Sequence, residues 1–222
     1  MGQTIGLKAS DGFLLGGYRA DPTGKPKGGL VVIQEIFGVN HHIRNVCDRF
    51  AASGYAAVAP AMFDRAKANV DLGYDKAAMD EGVKLRAAIK LEDSLKDVQA
   101  AIDALKPSGK VGVIGYCWGG SLAFLAATRL TGLACAVGYY GGMIAAHRDE
   151  KPNVPTILHF GDKDMHIPMA HVNELRQLHP DVAIFDYPAD HGFHCDERGS
   201  WDAAASKQAM TRTLEFFSKH VG

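Results

Sequence analysis

Lys110-Val111-Gly112-Val113-Ile114-Gly115-Tyr116-Cys117-Trp118-Gly119-Gly120 decides the fold, because a short apolar β-branched run passes into glycine-flanked Cys117 and then into the helical pattern Gly119 to Leu130. Gly115-Tyr116-Cys117-Trp118-Gly119 fits the pattern Gly-x-nucleophile-x-Gly, with Cys where Ser is more usual, in the strand-turn-helix context that gives the pattern meaning. The glycines answer a steric need. A nucleophile on so tight a turn sits in strained backbone, and side chains beside it collide with strand and helix. The amino end of a helix also favours a thiolate. The competing reading of a cysteine is a small buried hydrophobe, which suits Cys47 and Cys135 on apolar faces better than Cys117 between glycines.

Outward from this turn, strand and helix signals alternate. Upstream, Ile5 to Ala9 and Phe13 to Ala20 flank Ser10-Asp11-Gly12 and predict an antiparallel ribbon. Gly29 to Gln34 reads as a strand buried on both faces, His42 to Ser53 as a helix, Tyr55 to Ala59 as a strand, and Leu91 to Leu105 as a helix stopped by Pro107-Ser108-Gly109. Downstream come strands at Leu133 to Tyr139, Pro155 to Gly161 and Val182 to Tyr187, with helices near Pro168 to Leu178 and Ser200 to Lys219. Met62 to Ala88 has the weakest periodicity and reads as a loop or short helices, a plausible lid. The whole predicts an α/β fold, a mostly parallel central sheet with helices on both faces and ligands at the strands' carboxyl ends.

With 222 residues, 47% hydrophobic and 22% charged, the chain suits a single α/β domain over residues 1–222. A net charge of -1 without basic stripes argues against nucleic acid. No stretch reaches the roughly 18 apolar residues of a membrane span, and Met1 to Lys8 lacks an export signal, so the expected location is cytoplasmic. The four cysteines Cys47, Cys117, Cys135 and Cys195 are scattered, as reduced thiols would be. Composition leaves the oligomeric state open, a monomer included.

A thiol nucleophile needs a base, and in this architecture acid and then His follow it in the chain. Asp162-Lys163-Asp164 follows one late strand and Asp190-His191-Gly192 the next. Asp164 is the preferred acid, since Asp162 directly after Gly161 suits a turn, and His191 is the base. His191, His194 and Cys195 resemble metal ligands, yet no second cluster completes a zinc site, so neither metal nor other cofactor is expected. His159, His166, His171 and His179 read as surface or strand-end residues. Glu35, a carboxylate ending an apolar strand, is costly unless functional or paired to a Lys or Arg.

These stretches, with Gln34-Glu35-Ile36-Phe37-Gly38-Val39-Asn40, Ala136-Val137-Gly138-Tyr139-Tyr140-Gly141, Ile167-Pro168 and His191-Gly192-Phe193, resemble the dienelactone hydrolase (carboxymethylenebutenolidase) family of the α/β-hydrolase superfamily along nearly the whole chain. The resemblance implies an α/β-hydrolase fold, a Cys117-His191-Asp164 triad, Glu35 controlling the thiol, and an oxyanion hole from the N–H groups of Ile36 and Trp118. It further implies a cofactor-free hydrolase of small lactones or esters acting through an acyl-enzyme on Cys117. Arg198, Phe37 and Tyr140 are its substrate-side candidates, Arg198 having a solvated surface role as its alternative. In the family a further arginine comes from the segment before the long helix, where Lys76, Lys84 and Arg86 stand here. A carboxylesterase with another substrate, or a binding protein that kept the fold, are the rival readings.

Overall fold

A computed structural model describes residues 2–222. One sheet of eight strands runs through it in the order β1-β2-β4-β3-β5-β6-β7-β8. The antiparallel ribbon β1 (Gln3–Lys8) and β2 (Leu14–Ala20) is laid against β4 (Ala56–Pro60), antiparallel again. From β4 onward every pairing is parallel, through β3 (Gly29–Ile33), β5 (Val111–Tyr116), β6 (Leu133–Tyr139), β7 (Thr156–Gly161) and β8 (Ala183–Tyr187).

The helices α1 (His41–Ala52), α2 (Lys76–Ala87), α3 (Leu91–Leu105), α4 (Trp118–Arg129), α5 (Met169–Leu178) and α6 (Ala203–His220) supply the crossovers and the covering layers. Successive strand side chains point to opposite faces, so β3 divides itself between two cores. Leu30 and Val32 pack with Val46 and Phe50 of α1 and Phe217 of α6. Val31 and Ile33 pack with Val98 and Ile102 of α3 and Leu122 and Ala126 of α4. Both faces of the strand are therefore apolar, which is why its sequence is a continuous Val/Ile/Leu run rather than an alternation. Helix starts are set by side-chain caps: Asn40, Asp75 and Asp202 accept from the backbone N–H of Ile43, Ala78 and Ala205. None of the helices among the described residues is long and apolar enough to cross a membrane.

The segment 62–88, read as a loop or short helices, contains one helix of 12 residues, α2, whose inward residues Gly82 and Leu85 are too few to make an apolar stripe. One expectation needs correction. His159 and His179 are buried, not at the surface. His159 bonds through Nδ1 to the Tyr187 hydroxyl and through Nε2 to Thr213, and burial pushes its pKa well down, so it is a neutral strut between β7, β8 and α6. His179 Nε2 is tied to the carbonyl of Arg148.

Phe217 anchors α6 against Phe50 and Tyr55, with ring centroids 5.9 and 6.2 Å away. Phe217→Ala is expected to lose ~3–5 kcal/mol of unfolding free energy, read from urea denaturation.

Candidate active site

The candidate residues gather at the carboxyl ends of β3, β5, β7 and β8. Cys117 occupies the junction between β5 and α4 with φ 54° and ψ −115°, a left-handed conformation costly for any side chain. The junction is held because β5 and α4 almost touch. A Cβ on Gly115 would lie 1.9 Å from the Gly119 carbonyl oxygen, one on Gly119 2.4 Å from that of Ile33, and one on Gly120 2.2 Å from that of Tyr139. The Cys117 N–H donates to the Tyr139 carbonyl at 3.0 Å, tying the turn to β6.

Asp164 lies in the loop after β7 and His191 in the loop after β8. Asp164 Oδ2 meets His191 Nδ1 at 2.6 Å, and its Oδ1 accepts from the His166 N–H at 2.8 Å, so both oxygens are engaged. Asp162, the alternative acid, is exposed. Burial alone would lower the His191 pKa, but the Asp164 carboxylate and the Cys117 side chain beside it outweigh that and hold it at about 10. Burial likewise works to raise Asp164, and His191 with the His166 N–H holds it below the ordinary carboxylate range instead. Behind the imidazole stands Tyr140, ring centroids 5.0 Å apart.

Glu35 and Arg198 form a second pair. Glu35 is almost wholly buried, and its Oε1 accepts from Arg198 Nη1 at 3.0 Å. Its Oε2 has no hydrogen-bond partner among the described residues. Arg198 also lies over the Phe37 ring, 5.6 Å from its centroid, and packs on Gly192, where a Cβ would come within 2.4 Å of the guanidinium. That contact, with φ 78° at Gly192, accounts for glycine after His191. The structure thus gives Glu35 the paired reading, an ion pair with Arg198, and Arg198 is not a solvated surface residue.

A cavity of about 310 Å³ opens over Cys117, lined among others by Ile36, Phe37, Trp118, His191 and Arg198. This is the small end of the ~300–1,000 Å³ range of ligand pockets. Trp118 is the first residue of α4, so its N–H has no intrahelical acceptor, and Ile36 follows β3 on the neighbouring wall. Tyr140 is fully buried behind His191 and is not among the lining residues, which corrects its expected substrate contact. Of the cations Lys76, Lys84 and Arg86 only Arg86 reaches the cavity, and sequence reading missed its neighbours on α2, Met79 and Val83, with Ser121 and Met143. Arg86 directs a guanidinium N–H at the Met143 sulfur and makes no ion pair among the described residues. Its signal, a lone arginine in a weakly patterned segment, is indistinguishable in sequence from a surface charge.

The would-be metal cluster comes apart. His194 is stacked on Tyr116 and bonded to Ser206, and burial depresses its pKa to about 3, while Cys195 is buried beside Tyr74. Among the described residues only His42, Asp196 and Glu197 bring ligand atoms within 4.8 Å of one another, and Arg49 is seated on Asp196.

A parallel-based sheet ending in an antiparallel ribbon, with a strained cysteine at the turn after β5 and a paired Asp and His in later loops, has the form of an α/β hydrolase. The profile of the dienelactone hydrolase family matches residues 15–221, and the chain belongs to that family. It is 32% identical to the carboxymethylenebutenolidase of Pseudomonas putida, over 96% of this chain and 95% of that one. With a provisionally named carboxymethylenebutenolidase of Synechocystis it shares 36% identity over 93% of this chain and 92% of the other. A crystal structure provisionally titled as a dienelactone hydrolase from Klebsiella pneumoniae superposes with a TM-score of 0.86 at 27% identity, covering 99% of this chain and all (100%) of that one. The chain is accordingly a hydrolase.

The folded His191 value of about 10 exceeds the ordinary 6.5, so its pairing adds stability that is fully present below about 6.5 and is lost as pH rises through about 10. The difference in Tm between wild type and Asp164→Asn should therefore be largest near pH 6 and shrink toward pH 10. A difference that grows over that interval would contradict the assignment of the proton to His191.

Proposed function

We propose that this hydrolase opens small enol-lactones of the carboxymethylenebutenolide type through an acyl-enzyme on Cys117. The observation that carries the reading is the elbow cysteine beside an imidazolium that is itself held by a buried carboxylate. In the proposed course the Cys117 sulfur attacks the lactone carbonyl carbon while His191 carries the proton. The carbonyl electron pair moves onto oxygen, where the N–H groups of Ile36 and Trp118 receive it, a donor of this kind being worth ~3 kcal/mol in the transition state. Collapse of the adduct breaks the ring C–O bond, and His191 protonates the departing enolate, a better leaving group than an alkoxide. Water then attacks the thioester, gives a proton to His191, and releases the acid and the Cys117 sulfur.

The substrate's own carboxylate is drawn to the cavity arginines, a choice supported by the fit of a guanidinium fork to a carboxylate. Arg86, without an acidic partner among the described residues, is the available cation. At Arg198 a substrate carboxylate competes with Glu35 for the guanidinium.

Cys117→Ala is expected to abolish lactone and p-nitrophenyl ester turnover, with a loss of at least a thousandfold in kcat measured at equal folded protein; retained turnover excludes the mechanism. Arg86→Ala is expected to raise KM for an anionic dienelactone by about tenfold, the ~1.5 kcal/mol of a charge-assisted hydrogen bond, and to leave KM for a neutral ester within twofold.

A further inference from the structure

Helix α2 presents Met79, Gly82, Val83 and Arg86 at spacings of three and four residues, hence on one face. An amphipathic helix ordinarily turns such a face into the protein core. Here the core takes Leu85, while Met79 and Val83, 39% and 53% exposed, line the same cavity as Cys117. The walls they join, Ile36, Phe37, Trp118 and Met143, are apolar too. Large apolar side chains left in water on the inside of a concave site are unfavourable unless something covers them.

The position of this wall is fixed. Gly82 rests on the backbone of Ile36, where an added Cβ would be 1.9 Å from the carbonyl oxygen. Ile36 is the residue proposed above to offer an oxyanion N–H, so the apolar face stands at a set distance from the carbonyl under attack. An unsubstituted carboxymethylenebutenolide carries no alkyl or aryl group for this wall, whereas a substituted lactone or ester does.

We propose that Met79 and Val83 form a subsite for an apolar substituent, a short alkyl chain or an aryl ring, carried by the ester or lactone. The inference rests on the hydrolase reading above and names the substrate class of that site. The flexible Met79 thioether lets the wall adapt to either shape. It spans one helical turn, ~5.4 Å, enough for about four methylenes. Each methylene buried there is worth about fourfold in kcat/KM, the ratio equivalent to ~0.8 kcal/mol.

The test compares two ester series, one lengthening the acyl chain and one the alcohol, from two to eight carbons. In wild type, kcat/KM is expected to rise about fourfold per methylene over the first four in one of the series, carried by KM, and then to level off. In the doubly substituted Met79→Ser, Val83→Ser chain, altered only at exposed positions, that rise should fall to less than twofold per methylene. Flat profiles in both wild-type series, or a gradient that survives both substitutions, overturn the subsite. Calorimetric binding of n-alkyl carboxylates, acetate to hexanoate, to Cys117→Ala reads the same gradient in Kd without turnover. Failure of the proposed mechanism is separate: it shows as hydrolysis that does not depend on Cys117.

Discussion

The near-contact of β5 with α4 is the constraint on which the rest of this structure depends. Strained backbone at Cys117 costs ~1–3 kcal/mol by itself and persists only where its surroundings leave no alternative. Gly115, Gly119 and Gly120 supply those surroundings by letting carbonyls of the turn, of β3 and of β6 approach to distances that a Cβ forbids. In return α4 is buried along its first ten residues, Trp118 to Ala127. The junction thus sets Cys117 at the carboxyl end of the central strand β5, directly before the first residue of α4.

The remaining groups are positioned from two other strands, by loops whose polar atoms are committed. Asp164 spends one oxygen on its own loop and the other on His191, so the imidazole is oriented by a carboxylate that cannot turn away. Tyr140 backs the ring, and the buried His159, Tyr187 and Thr213 bonds pin β7 and β8 to α6 beneath it. Arg198 closes the set by reaching from the loop after His191 to Glu35 after β3, linking opposite halves of the sheet with one ion pair. Because that pair is sheltered from water, removing either partner would strand a charge, which makes the link a sensitive one.

Helix α2 stands apart from this machinery and yet faces it. The candidate catalytic groups come from strand ends, which the sheet holds rigidly, whereas the cavity's outer wall comes from a helix with only Gly82 and Leu85 buried. In the proposed reading chemistry and selectivity are carried by different layers of the molecule, and the second can change in sequence with little cost to the first.

Residues 110–120 by themselves determined the strand, the turn and the helix, since each requirement there is local: β-branched residues for a buried strand, glycines for close approach, a nucleophile between them. The order of Asp164 and His191 behind that turn was legible for the same reason, as were the paired apolar faces of β3 and α3. Tertiary structure alone decided what distance across the chain decides. Glu35 and Arg198 are 163 residues apart and carry no mark of partnership until the sheet brings β3 and the last loop together. His159 read as a surface or strand-end residue because one histidine in an apolar strand does not show that Tyr187 and Thr213 will meet it. Tyr140, within a matching motif, takes a positive φ of 38° and is fully buried, which the motif alone does not show. The apolar face of α2 escaped notice because hydrophobic periodicity reports burial in a core, and Met79 and Val83 line a cavity instead.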